Sequence, residues 1–123
     1  PGRSLLIPVS VFEKIGFYDS KNFPQAVADF DFTIRAFNHG FKIFCSYDAK
    51  IAMYQGASGG VELILNKSIR NYFQHLFGIK GAGNLIRFTV FAFKNAPKKY
   101  LFSFWILGVL RRLINYFTIK PSL

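Results

Sequence analysis

The stretch VADFDFTIR, residues 27–35, decides the fold that we expect, because it places two carboxylates at the predicted start of a helix. Asp29 and Asp31 are one residue apart, and Arg35 follows Asp31 after one helical turn. Apolar residues recur with helical spacing until Gly40, where the helix is expected to end. We predict that Asp29 is the N-cap of this helix and that Asp31 and Arg35 form an ion pair on its side.

Short elements are expected on both sides of this helix in the first half of the chain. A helix over residues 9–15 is predicted to end at Gly16. Apolar runs with weak alternation predict strands, which would cover residues 4–7, 41–45 and 49–54. The central helix is predicted over residues 29–38, with one face directed toward a core and formed by Phe30, Ile34 and Phe37.

Charge divides the chain into two dissimilar halves. Residues 1–60 carry six Lys or Arg and five Asp or Glu, a net charge of +1. Residues 61–123 carry ten Lys or Arg and one Glu, a net charge of +9. A glycine-rich loop at residues 55–60 is the expected boundary between them. The basic, aromatic second half predicts contact with an anionic membrane surface, a nucleic acid or an acidic substrate.

Helical spacing dominates the second half, where helices are predicted over residues 61–79, 84–94 and 98–117. The last of them contains an uncharged run of eleven residues, 100–110, between Lys98-Lys99 and Arg111-Arg112. A membrane-spanning helix needs about 20 apolar residues, so this run is too short to span. We expect the helix to lie in the membrane interface. The residues predicted to contact the membrane are Lys98, Lys99, Phe104, Trp105, Arg111 and Arg112.

Two alternatives to the membrane interface stay open for this segment. Its aromatic faces can instead pack against a part of the same protein that lies outside this chain. Nucleic-acid binding is the weaker alternative, because the aromatic residues lie in dense apolar runs and no RNA- or DNA-binding motif is present.

Residues 2–58 contain several short motifs whose order and spacing are informative together. The motifs are LLIP at residues 5–8, VFEKIGFYD at 11–19, Phe23-Pro24, ADFDF at 28–32, Arg35-Ala36, GFKI at 40–43, and Gly56 with Ser58. In this order they resemble the second half of the catalytic domain of family-2 glycosyltransferases, which are inverting enzymes with the GT-A fold. The resemblance implies an α/β fold: residues 1–60 would be the acceptor-side half of a Rossmann-like domain, followed by amphipathic helices over residues 61–123.

The resemblance also implies roles for the charged residues of the central helix. Asp29 matches the carboxylate that acts as general base on the acceptor hydroxyl. Asp31 matches a second Asp that shapes the site or contacts the acceptor, and Arg35 matches an Arg that holds that carboxylate in place, so both are predicted to bind substrate. The family usually has Glu where this chain has Ala28, and many members have His where it has Tyr54. Mg²⁺ or Mn²⁺ is expected for the full-length enzyme, with its ligands mainly in an N-terminal half that this chain lacks, and no metal ligand is assigned here.

Taken together, these features predict a fragment of a glycosyltransferase that acts in the synthesis of cell-surface polysaccharide. It would move a sugar from a nucleotide-sugar to a glycan or lipid-linked acceptor, and the isolated fragment is expected to be inactive. The protein is expected to be peripheral, on the cytoplasmic face of the cell membrane. The alternative is a non-catalytic basic module that binds anionic membrane or nucleic acid.

Overall fold

The computed structural model of the chain describes residues 4–25, 27–52, 67–79, 81 and 83–118. The chain divides into two compact units between Tyr54 and Gln55. Unit 1 contains helices α1 (Val9–Ile15) and α2 (Ala28–Asn38). Unit 2 contains α3 (Ile69–Phe77), α4 (Leu85–Asn95), a short 3-10 helix (Lys98–Tyr100) and α5 (Leu101–Thr118).

The predicted α/β fold is wrong for the part of the chain that is described. Every regular element there is helical, and the runs at residues 4–7, 41–45 and 49–52 belong to no strand. Leu6 is 99% exposed and Phe44 is 85% exposed, so neither run is covered on both faces as a central strand would be. A strand is held by hydrogen bonds to a neighbouring strand, and an apolar run does not supply that neighbour. The predicted residues 53 and 54 lie outside the described ranges.

Unit 1 is held together by a small core between its two helices. Val11 of α1 packs with Phe32 and Ala36 of α2, and all three are buried. Partly buried apolar side chains surround them, namely Ile7, Phe12, Ile15 and Phe41. The predicted bounds of α1 are confirmed, because Gly16 follows its last residue with a φ of 74° and ends the helix.

Helix α2 lies within one residue of its predicted bounds, but its buried face is not the predicted one. Phe30 and Phe37 are exposed, whereas Asp31, Phe32 and Ala36 are buried. Apolar residues occupy more than one side of this helix, so spacing alone does not determine which side faces the core. Contact with α1 selects the side that carries Phe32 and Ala36.

In unit 2, α4 and α5 pack against each other through aromatic side chains and one glycine. Phe88 of α4 is buried and lies against Gly108 of α5, where any side chain would overlap its ring. The guanidinium of Arg112 lies 3.5 Å from the centroid of the same ring. Trp105 donates from Nε1 to Thr89 Oγ1 at 3.0 Å. This packing fixes which side of α5 faces the rest of unit 2.

Helix α3 packs on the C-terminal end of α5 through Tyr116, which is buried. The Tyr116 hydroxyl donates to the Ser68 carbonyl at 3.2 Å and accepts from the Ser68 amide at 3.1 Å. The Ser68 hydroxyl in turn caps α3 by accepting from the Asn71 amide. Asn84 joins α3 to α4, because its amide donates to the Phe77 and Gly78 carbonyls while its oxygen accepts from an amide of α4.

Candidate functional site

The predicted catalytic residue, Asp29, is the second residue of α2 and not its N-cap. The N-cap is Val27, whose φ of 59° and ψ of 4° lie in the left-handed region, and no side chain caps this end of the helix. A β-branched residue rarely adopts this conformation, which costs roughly 1–3 kcal/mol and is most often found at functional sites. The Asp29 carboxylate is partly exposed and has no hydrogen-bond partner among the described residues.

Asp31 and Arg35 form the predicted ion pair, with Arg35 Nε donating to Asp31 Oδ2 at 3.0 Å. The Asp31 side chain has no solvent-accessible surface. Arg35 also donates to the carbonyls of Ile15 at 2.6 Å and Phe17 at 2.8 Å. Ile15 is the last residue of α1, so the guanidinium satisfies a carbonyl that the helix itself leaves unpaired. The Asp31–Arg35 pair therefore fixes α2 against the C-terminal end of α1.

The two carboxylates of the motif consequently face different surroundings. Two residues along an α-helix correspond to a rotation of about 200°, so Asp29 and Asp31 lie on nearly opposite sides of α2. Asp31 faces the interior of unit 1 and its ion pair, while Asp29 lies on the other side of α2 and is partly exposed. The geometry brings Asp31 and Arg35 together and leaves Asp29 separate.

No cluster of His, Cys, Asp and Glu side chains able to hold a metal ion occurs within the described residues. The metal expected for the full-length enzyme was assigned mainly to residues outside this chain, and that expectation stays a prediction.

The six residues predicted to contact a membrane are divided by the structure into outward-facing and inward-facing side chains. Lys98, Lys99, Phe104 and Arg111 are exposed, and the ring centroid of Phe104 lies 5.6 Å from that of Phe88. Trp105 and Arg112 face the interior of unit 2. Burial, and secondarily the charge of Arg111, lower the pKa of the Arg112 guanidinium from its usual value.

The opposite side of α5 carries large apolar side chains that sequence analysis did not single out. All are exposed, and apart from the adjacent pair at 106 and 107 successive members lie three or four residues apart along the helix. We refer to them as the outer face of α5, and they are Phe102, Ile106, Leu107, Leu110, Ile114 and Phe117. The helical spacing of these apolar residues is visible in the sequence. Both sides of α5 are apolar, however, so the sequence does not determine which side packs inward.

His75 of α3 is a further buried polar residue that sequence analysis did not recognise as structurally important. Neither ring nitrogen has a hydrogen-bond partner within the described ranges, and the ring centroid lies 5.4 Å from that of Tyr116. Gly83 lies so close to the imidazole that a side chain there would overlap it. Burial, followed by the charge of Arg112, lowers the pKa of His75 below its usual 6.5.

None of the helices in the described ranges has both the length and the apolar character required to cross a bilayer. No protein-family model, curated protein or solved structure matches this chain. The resemblance to family-2 glycosyltransferases thus has neither support nor contradiction from these comparisons.

Proposed function

We propose that this chain supplies the acceptor-activating part of an inverting glycosyltransferase, with Asp29 as the general base. The observation that carries the proposal is the partly exposed Asp29 carboxylate, which has no hydrogen-bond partner among the described residues and lies on the side of α2 away from the buried Asp31–Arg35 pair. The proposal rests on the site and not on the fold, since the described residues do not form the α/β fold that the resemblance implied. The nucleotide-sugar would be bound by a segment outside this chain.

The chemistry requires a carboxylate that can accept a proton at the moment of transfer. The acceptor hydroxyl oxygen forms a bond to the anomeric carbon of the donor, and the bond from that carbon to the nucleoside diphosphate breaks on the opposite face. The hydroxyl proton passes to Asp29. A positioned base contributes typically about 10²–10⁴-fold to the rate of such a step.

The surroundings of Asp29 support a positioned carboxylate. The strained backbone of Val27 directs the chain into α2 just before Asp29, and the Val27 carbonyl accepts the Asp31 amide at 3.0 Å. On the opposite side, the Asp31–Arg35 pair anchors the first two turns of the helix to α1. We assign Asp31 and Arg35 the role of positioning residues for the acceptor site.

The proposed enzyme is peripheral and acts at the cytoplasmic face of the cell membrane on a glycan or lipid-linked acceptor. Unit 2 supports this part of the proposal, because residues 67–118 include nine Lys or Arg and no Asp or Glu. A surface of this composition attracts anionic headgroups. No step of the reaction is assigned to a metal.

The test of the catalytic proposal is Asp29→Asn in the longer protein that contains this chain. Transfer from a nucleotide-sugar to a lipid-linked acceptor is expected to fall at least about 100-fold, with donor binding unchanged. Asp48→Asn is the matched control, because Asp48 is exposed in the same unit and the substitution is the same. Turnover of Asp29→Asn equal to that of the control would refute the assignment.

The second candidate function is a non-catalytic basic module that binds an anionic membrane or nucleic acid through unit 2. The absence of carboxylates from residues 67–118 favours it independently of Asp29. If the longer protein binds vesicles or RNA but transfers no sugar in the presence of any nucleotide-sugar, this second function replaces the first.

A further inference from the structure

We propose that the outer face of α5 is the surface that enters an anionic bilayer, while Trp105 and Arg112 stay inside the protein. This inference rests on the proposed membrane association and specifies the side chains responsible for it. It differs from the expectation based on sequence, in which Trp105 and Arg112 meet the lipid. Helix α5 would lie in the plane of the interface with its outer face toward the acyl chains.

The exposure of α5 provides the first argument. Phe102 is 68% exposed, Leu107 is 66% exposed and Phe117 is 63% exposed, so the apolar surface extends along the whole helix. Contiguous apolar surface of this extent is rare on soluble proteins and typically marks a site of protein or membrane contact. An 18-residue helix is about 27 Å long, which suits an element that lies along a membrane surface.

Ring contacts extend this surface onto α3. The Tyr72 ring lies 5.2 Å from the ring of Phe117 and 6.2 Å from that of Phe73, centroid to centroid. Phe73 lies in turn 6.3 Å from Phe77, and both are exposed on the same side of α3. The apolar surface is therefore shared by two helices of unit 2.

Charge identifies the occupant as an anionic membrane and not simply an apolar partner. Exposed cations are present at the start of α5, where Lys98 and Lys99 precede the helix, and along its length at Arg111. At its C-terminal end Lys67 donates to the Phe117 carbonyl at 2.9 Å. Cations around an apolar helix face are the composition of interfacial helices, in which apolar side chains enter the acyl boundary and cations meet headgroups.

The inward position of Trp105 and Arg112 follows from bonds they already make. Trp105 donates to Thr89, and its ring centroid lies 6.3 Å from that of Phe93 on α4. Arg112 lies against Phe88 and donates to the Gly108 carbonyl at 3.1 Å. Insertion of either side chain into lipid would require α5 to separate from α4.

The first test is co-sedimentation of the full chain with phosphatidylcholine vesicles that contain or lack phosphatidylglycerol. Binding is expected only with the anionic lipid and is expected to weaken in high salt. Leu107→Asp should lower the affinity about tenfold or more, because it places a charge in the acyl boundary. Leu6→Asp is the matched control, since Leu6 is fully exposed in unit 1 and the change in net charge is identical.

The outcomes of this test separate the possible occupants. Equal losses for Leu107→Asp and Leu6→Asp would overturn the proposal, because net charge alone would then explain binding. Binding to uncharged vesicles of equal strength would also overturn it. A dimer that Leu107→Asp dissociates, with no vesicle binding, would assign the face to a second copy of the chain. Tight binding of RNA without binding of lipid would assign unit 2 to nucleic acid.

The second test measures which side chain enters the lipid, using the single tryptophan of the chain as a probe. Quenching by spin-labelled lipids is expected to be weak for Trp105 in the natural chain. In the variant Trp105→Phe/Leu107→Trp, the relocated tryptophan is expected to be quenched strongly. Stronger quenching of Trp105 would overturn the assigned face while leaving membrane association and catalysis by Asp29 untouched.

Discussion

At the scale of single residues, the ADFDF motif contains two aspartates with different roles. The half-turn between Asp29 and Asp31 leaves the first carboxylate partly exposed and places the second in the interior. The buried Asp31 carboxylate pairs with Arg35, which also donates hydrogen bonds to the Ile15 and Phe17 carbonyls at and just beyond the C-terminal end of α1. The motif thus provides a structural anchor in Asp31, and we propose that Asp29 is its reactive group.

Asp31→Asn is predicted to destabilise unit 1 by about 2–4 kcal/mol, because it leaves the partly buried Arg35 without its carboxylate. The loss is measured by denaturant unfolding followed by circular dichroism. Asp48→Asn is the control and should change the unfolding free energy by less than about 0.5 kcal/mol, since Asp48 is exposed. Equal stability of the two variants would show that the Asp31–Arg35 pair does not hold α2 to α1.

The buried His75 is expected to make the stability of unit 2 depend on pH. Because burial lowers the pKa of His75, the unfolded chain binds this proton more readily than the folded chain. The free energy of unfolding of unit 2 is therefore not reduced by His75 above about pH 6.5. It decreases as the pH falls from there toward the lowered pKa, because the unfolded chain takes up the proton first. The melting temperature reported by Trp105 fluorescence should decrease on acidification below about pH 6.5.

His75→Phe is the informative variant, since it keeps an aromatic ring beside Tyr116 and removes the titrating group. The decrease in melting temperature on acidification should be reduced in this variant. His39→Phe is the control, because His39 is exposed in unit 1 and should not alter the transition that Trp105 reports. An unchanged acid dependence in His75→Phe would assign the effect to another group.

At the scale of elements, the close approach of α4 and α5 depends on Gly108. Gly108→Ala is predicted to destabilise unit 2 by about 1–3 kcal/mol through overlap with the buried Phe88 ring, despite the better helix propensity of alanine. Thermal unfolding followed by Trp105 fluorescence measures the effect. Leu110→Ala, on the exposed side of the same helix, should change stability by less than half as much. A more stable Gly108→Ala would contradict the described packing.

Helices α1, α2 and α4 were predictable from sequence, whereas α3 (Ile69–Phe77) is shorter at both ends than the described part of the predicted range 61–79. The packing partners of the helices were not predictable. Gly16 and Gly40 mark the ends of α1 and α2, and Asn84 caps α4, so local signals fix these boundaries within one residue. The strands were mispredicted because pairing depends on residues distant in sequence. The buried face of α2 was also mispredicted, because contacts with α1 determine it. One of them is the hydrogen bond from Arg35 to the Ile15 carbonyl, which lies far away in sequence.

The candidate site was predictable to a similar extent. The ion pair of Asp31 with Arg35 follows from their spacing of four residues and is confirmed. The predicted capping role of Asp29 was wrong, because the N-cap is Val27 in a left-handed backbone conformation. Residue spacing does not predict this conformation for a valine. The inward position of Trp105 depends on Thr89 of another helix, which lies sixteen residues earlier.

At the scale of the whole molecule, the two units differ in charge as well as in structure. The acidic residues of the chain lie almost entirely in unit 1, where Asp29 and Asp31 are found, whereas residues 67–118 of unit 2 carry cations without any carboxylate. This division matches the tasks that we propose, which are acceptor chemistry in unit 1 and attachment to an anionic surface in unit 2.

The most direct test of the account is to measure sugar transfer and thermal stability together for Asp29→Asn in the longer protein. We predict that transfer falls at least about 100-fold while the melting temperature and vesicle binding stay at their natural values. This separates a catalytic carboxylate from a structural one such as Asp31. Full transfer activity in Asp29→Asn, or a loss of activity that merely follows a loss of folding, would contradict the central claim.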